Sequence, residues 1–162
     1  MAVQKSVPAQ AAAMIRQYMK ANGIAGKVRS ESYSMGSSVN VYVQDLSPEA
    51  SQSLKEYASQ FQYGNFDGMQ DLYEYNNRNE ELPQVKFVFV NNEISSEMAQ
   101  IIWNFMLGYY AGMENAPKSA VAGGSFRNER FGAYGQDMMY RLFSGYSQNA
   151  FWDFYQEQKM AA

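Results

Sequence analysis

The chain has neither cysteine nor histidine in its 162 residues. These absences remove the thiol nucleophile, the disulfide, the imidazole base that titrates near neutral pH, and the Cys/His zinc site. Carboxylate, Lys, Tyr or Ser chemistry survives, as does carboxylate-held Mg²⁺ or Ca²⁺. No motif calls for a cofactor. Long apolar runs are also missing. The opening MAVQKSVPAQ has no apolar signal core, and the uncharged stretch 98–113 is too short for an ordinary membrane span and is broken by Gln100 and Asn104. The expectation is a cytoplasmic protein with no membrane partner. The net charge of −3, without any Lys/Arg run, disfavours non-specific nucleic-acid binding.

What is present is aromatic and soft. The sequence holds 13 Tyr, 10 Phe and 11 Met, residues that fill cores and also dominate the buried centres of protein interfaces. Hydrophobic residues make up 46% and charged residues 18%, the balance of a folded domain rather than a disordered chain. The length suits one domain over residues 1–162.

Hydrophobic periodicity orders the elements. A first helix begins at Pro8, carries Ala11, Ile15, Tyr18 and Met19 at helical spacing, and stops at Gly23. A hairpin follows, with strands 27–33 and 38–44 around Ser34-Met35-Gly36-Ser37; Val39, Val41 and Val43 share one face of the second strand. Ser47-Pro48 opens a second helix with the stripe Leu54, Tyr57, Ala58 and Phe61. Residues 62–69 read as a loop, 70–76 as a strand and 84–91 as a further strand, apolar on both faces and so expected at the centre of a sheet. A third helix spans about 96–113, capped by Ser95 or Ser96, with one stripe through Met98, Ile101, Ile102, Phe105, Met106 and Tyr109 and a second through Trp103, Leu107 and Tyr110. A glycine-rich stretch, 114–133, leads to a helical tail that breaks near Ser144-Gly145. The order α-β-β-α-β-β-α-α predicts an α+β fold: one four-stranded antiparallel sheet with helices packed mainly on one face.

Three constellations carry candidate chemistry. Asp67, Asp71 and Glu74 lie among Phe66 and several tyrosines, as a cation or substrate site would require; the plainer reading is a tight turn with solvated carboxylates, because the alternating ligands of a calcium loop are missing. The hairpin tip around Tyr33, Ser34, Gly36 and Ser37 offers hydroxyls and backbone N–H groups to an anion, although Ser and Gly are ordinary turn residues and no phosphate-loop motif occurs. Arg127, Arg130 and Arg141 with Lys118, interleaved with Phe126, Phe131 and Tyr134, sketch a small basic face for nucleic acid, offset by Glu129; solvated loop charges are the plainer reading. The second stripe of the third helix is either covered by the tail or presented to a partner. On the latter reading Trp103, Leu107, Tyr110, Arg127, Arg130, Tyr134, Tyr146, Trp152 and Tyr155 are the candidate partner-binding residues.

The segments VRSESYSMGSSVNVYV (28–43), FQYGNFDGMQDLYEY (61–75) and PQVKFVFVN (83–91) together resemble a large polyvalent protein-associated domain, over roughly Ile15 to Ile94. Met35 stands where that family often has a second Gly, and Tyr42 where a Trp is common. The resemblance implies proteins of phages and conjugative elements that enter or act in a recipient cell, often beside antirestriction modules, and it carries no catalytic residues to this chain. The expected function is an accessory protein that binds and inhibits a host defence component, antirestriction or anti-CRISPR in type, by protein contact and without catalysis. The alternatives are a nucleic-acid or nucleotide-binding module, and an enzyme using Asp67, Asp71 or Glu74 with a divalent metal. A homodimer through the third helix is compatible with each.

Overall fold

The computed structural model describes residues 3–109, 134–145 and 150–161. The chain forms two compact units, Met1–Glu93 and Ile94–Ala162. Among the described residues, no helix is long and apolar enough to cross a membrane.

The first unit begins with α1 (Val7–Ala21), whose fixed-φ Pro8 sits in the first turn. It ends in a Schellman arrangement: the Ile24 N–H reaches the Met19 carbonyl at 2.8 Å, while Gly23 takes φ 67, a left-handed conformation that glycine adopts without penalty. β1 (Gly26–Tyr33) and β2 (Gly36–Gln44) form the expected antiparallel hairpin, with Val28 opposite Val41 and Arg29 opposite Asn40. α2 (Pro48–Ser59) starts on Ser47, whose hydroxyl accepts from the Ala50 N–H at 3.3 Å. A short hairpin, β3 (Asn65–Asp67) with β4 (Leu72–Glu74), and the edge strand β5 (Phe87–Glu93) complete the unit.

The single four-stranded antiparallel sheet is not formed. A three-stranded mixed sheet has the order β1-β2-β5, and β3-β4 is a separate two-stranded sheet. β5 runs parallel to β2 because α2 and the β3-β4 hairpin carry the chain back to the end of the sheet where β2 began, as a parallel neighbour requires. β5 therefore lies at an edge, not at the centre. Its two-sided apolar pattern has a different cause. Val88 and Val90 pack against the core, while Phe87 and Phe89 on the opposite face lie in a cluster of aromatic rings. The predicted strand 70–76 shrinks to Leu72–Glu74, since Asp71 takes φ 50 and the chain turns there; part of the predicted loop, 65–67, is strand β3.

The core of this unit joins Ala11, Ala12, Ile15 and Met19 of α1 and Leu54 and Ala58 of α2 to Val28, Val39, Val41 and Val43 of the sheet, so both helices cover one sheet face. Tyr18 and Tyr57 stack between them at 4.2 Å. The opposite face carries Tyr42, Phe87 and Phe89.

The second unit is helical: α3 (Ser96–Tyr109), α4 (Tyr134–Ser144) and α5 (Ala150–Ala161). The Ser95 hydroxyl accepts from the Met98 N–H at 3.1 Å and caps α3. Met98, Ile102, Trp103 and Met106 are buried with Met139, Leu142, Phe143, Phe151 and Trp152, so α4 and α5 pack on residues of both stripes of α3, Trp103 and Leu107 of the second among them, while Tyr110 lies outside the described residues. Gly145, at φ 73, ends α4 where the break was expected.

Candidate functional site

The most organised exposed surface lies where the β3-β4 hairpin meets β5. Tyr73 lies in β4 with Tyr75 just past its end, and strand alternation groups Phe87 with Phe89 on one side of β5. Their rings join into one chain. Tyr63 stacks on Tyr75 with centroids 5.5 Å apart; Tyr73 meets Tyr63 edge-on at 5.8 Å, Tyr75 at 5.2 Å and Phe87 at 5.7 Å; Phe87 stacks on Phe89 at 5.8 Å. These spacings lie within the range of favourable ring pairs. The outer members stay open, Tyr75 at 57% and Phe89 at 49% exposure.

Two cations complete the surface. The Arg78 guanidinium lies 4.8 Å from the Tyr75 ring centre, and the Lys86 ammonium lies 5.4 Å from Tyr73 and 5.6 Å from Phe87. Burial, reinforced by the neighbouring tyrosines, pushes the Tyr73 phenol up to about 12 and raises that of Tyr63. Both stay protonated over the physiological range. The Tyr73 hydroxyl donates to the Lys86 carbonyl at 2.6 Å.

Gln62 fastens the hairpin to the sheet. Its Oε1 accepts from the Val88 N–H at 2.7 Å, and its Nε2 donates to the Gly64 carbonyl at 2.7 Å. Gly64 is required by close approach: a Cβ there would stand 2.1 Å from the Glu74 carbonyl oxygen and 2.5 Å from Tyr73 Cε1. Asn77 closes the far side, donating to the carbonyls of Ser59 and Gln62 at 3.1 and 2.9 Å.

The candidates read from sequence fall in different places. Phe66 is exposed on β3, beside this surface. The Asp67 carboxylate accepts from the Met69 N–H at 2.8 Å and so shapes its turn, and Asp71 occupies the positive-φ position of that turn. Among the described residues, no three carboxylates gather closely enough to hold a metal ion. At the β1-β2 tip, Lys86 packs under Gly36 and its ammonium donates to the Met35 carbonyl at 3.4 Å, tying Tyr33, Ser34 and Ser37 to the start of β5. Trp103 and Trp152 are 1% and 5% exposed and fill the core of the helical unit. The Trp152 Nε1–H donates to the Phe143 carbonyl at 2.7 Å. Leu107 and Tyr155 are half-buried against the same core. Tyr110, Arg127, Arg130 and Tyr146 lie outside the described residues, as does the side chain of Tyr134.

Sequence reasoning missed Tyr63, Tyr73, Tyr75, Arg78, Lys86, Phe87 and Phe89 as one surface. The available signal was a pair of period-two aromatic repeats, Tyr73/Tyr75 at and just past β4 and Phe87/Phe89 in β5.

The family model for large polyvalent protein associated domain 29 matches residues 7–104, more than half of the chain. The chain belongs to that family. The match takes in both Phe-Asp-Gly-Met (66–69) and the serine-rich hairpin, and it extends past the resemblance read from sequence at both ends. Domains of this type are associated with proteins of phages and mobile elements. No curated protein and no solved structure matches the chain.

Proposed function

We propose that this member of the family is a non-catalytic binding protein of a phage or mobile element, acting in the cytoplasm of a bacterial host by docking onto and inhibiting a protein of host defence, as antirestriction and anti-CRISPR proteins do. One observation carries the reading: the continuous chain of Tyr63, Tyr73, Tyr75, Phe87 and Phe89, open at both ends and flanked by Arg78 and Lys86. Tyr, Phe and Arg are the residues enriched at the centres of protein interfaces, and rings already packed on one another lose little rotamer freedom on docking. The mobile-element setting of the family supplies the biological side of the argument. Alanine scanning of the affinity for the captured partner tests it. Tyr75→Ala and Phe89→Ala should each cost about 2 kcal/mol or more of binding; affinity within about threefold of wild type for both, in a folded protein, would reject this surface.

A second reading has its own observation. Cross-strand neighbours share a sheet face. The register therefore places Lys27, Tyr42 and Asn91 in one row of the sheet face opposite α1 and α2, and Arg29, Asn40 and Phe89 in the next. Cations beside open rings suit the stacking of single-stranded nucleic acid, though Glu31 and Glu93 lie on the same face. Salt separates the two readings. Affinity for a single-stranded oligonucleotide that falls steeply with salt would favour the second, and no binding at low salt would remove it.

A further inference from the structure

The backbone groups of successive residues in a strand point alternately to its two sides. In β5 the Glu93 carbonyl accepts from the Asp45 N–H at 2.9 Å, so Glu93 faces β2. The Val88 N–H instead donates to Gln62, so Val88 faces away from β2. Alternation then directs the N–H and C=O of Val90 and Asn92 to the free side of the sheet. At the strand's start that side is closed: residue 85 bridges to Gln62, the Val85 N–H reaches the Phe61 carbonyl at 2.7 Å, and Gln62 itself plugs Val88. Beyond the plug, among the described residues, no backbone group or side chain answers Val90 on that side.

A groove of about 550 Å³ runs along this open edge. Val88, Phe89, Val90 and Asn91 form one wall, Lys55, Ala58 and Ser59 of α2 form the other, and the amides of Gln62, Asn65 and Asn77 close the end. The amides are committed to one another and to the backbone: Gln62 Nε2 lies 3.4 Å from Asn65 Oδ1, and Asn65 Nδ2 donates to Asn76 Oδ1 at 2.7 Å. The end of the groove is therefore a fixed stop, and the unmet hydrogen-bonding capacity lies on the strand.

We propose that this edge receives an extended peptide segment of the protein partner, added beside Val90 and Asn92 as a fourth strand of the sheet, with an acidic side chain meeting Lys55. Only a polypeptide offers donors and acceptors at the two-residue repeat of a strand edge, about 6.6–7 Å. The added strand would be short, because Gln62 stops it at Val88. Phe89 belongs to both the groove and the ring chain, so one partner engages both. Edge-to-edge pairing with a second copy is disfavoured, since an antiparallel pair of β5 strands sets two α2 helices on the same sheet face, each with its Lys55 beside the seam.

This inference rests on the protein-binding reading above, and its test is separate. Random heptapeptides displayed on phage are selected against the full chain, and amide hydrogen exchange is followed with the enriched peptides at saturation. The expected result is enrichment of peptides with an Asp or Glu, slowing of exchange at Val90 and Asn92 by about tenfold or more, and at least about tenfold weaker binding to Lys55→Glu. Lys55 is a surface residue of α2, so that variant keeps the fold. The proposal is overturned if no peptide enriches, if the enriched peptides leave both amides unchanged, or if the two amides are protected without peptide in proportion to protein concentration, which would assign the edge to a second copy. Any of these outcomes, with Tyr75→Ala still abolishing partner binding, removes the strand-addition mode and leaves the wider reading standing.

Discussion

Replacing Gln62 with Ala should detach the short hairpin from the sheet while sparing the core. Two good hydrogen bonds are lost, from the Val88 N–H to Oε1 and from Nε2 to the Gly64 carbonyl, each 2.7 Å long. The longer contact to Asn65 adds little. Each bond contributes about 0.5–1.5 kcal/mol net, so the expected loss is about 1–3 kcal/mol. The lower part of that range applies if water reaches the freed groups. Urea unfolding at 25 °C, followed by far-ultraviolet circular dichroism, measures the total; with a slope of about 1–3 kcal/mol/M the midpoint should fall by roughly 1 M. Hydrogen exchange supplies the local readout. The Val88 amide should exchange much faster, whereas Val39 and Val41 in the sheet centre should change only by the global loss. An unchanged midpoint together with an unchanged Val88 amide would refute the claim that Gln62 fastens the ring surface to β5.

Three further outcomes follow from the same geometry. Gly64→Ala should destabilise the first unit by more than about 2 kcal/mol and weaken the near-ultraviolet tyrosine signal, because a Cβ would meet the Glu74 carbonyl oxygen at 2.1 Å. Trp152→Phe should lower stability by about 1–3 kcal/mol in thermal unfolding, since it leaves the buried Phe143 carbonyl without its donor. Tyr73→Phe should remove, from the wild-type phenolate absorbance titration, a component near pH 12. Its sign in stability is fixed by linkage: the unfolded phenol loses its proton near 10 and the folded one only near 12, so the native state holds the extra proton in that window and stability drops as pH rises from about 10 to 12. Below pH 10 the wild type should show no such slope from this group.

Much of this fold was legible in the sequence, and the parts that were not share a physical reason. Ser47-Pro48 and Ser95 mark helix starts through local capping chemistry, and Val39, Val41 and Val43 reveal their buried face through period two. These are contacts within a few residues. The pairing of β5 with β2 depends instead on where a crossover returns the chain, which no local pattern encodes. β3 and β4, three residues each, are too short to show a period and are fixed by Gly64, Asp71 and Gln62. The ring surface was illegible for a like reason, since positions 63, 73 and 75 meet 87 and 89 only through long-range contacts, the Gln62–Val85 bridge and the hydrogen bonds of Gln62 and Tyr73 to Val88 and Lys86. Period two made Val88 and Val90 look like the second apolar face of a central strand, whereas Phe87 and Phe89 stay partly open at an edge. The tryptophans illustrate the opposite case. Their aromatic character suggested anchors for a partner, yet a small helical unit draws its core from its largest side chains, and Trp103 and Trp152 fill that core.

Affinity capture from a nuclease-treated lysate of host bacteria, at moderate salt, tests the central claim most directly when wild type is run beside a folded Tyr75→Ala/Phe89→Ala double variant. The account predicts one dominant host defence protein retained by wild type and lost from the double variant. Equal retention by both proteins, or retention only when nucleic acid is left intact, would contradict it.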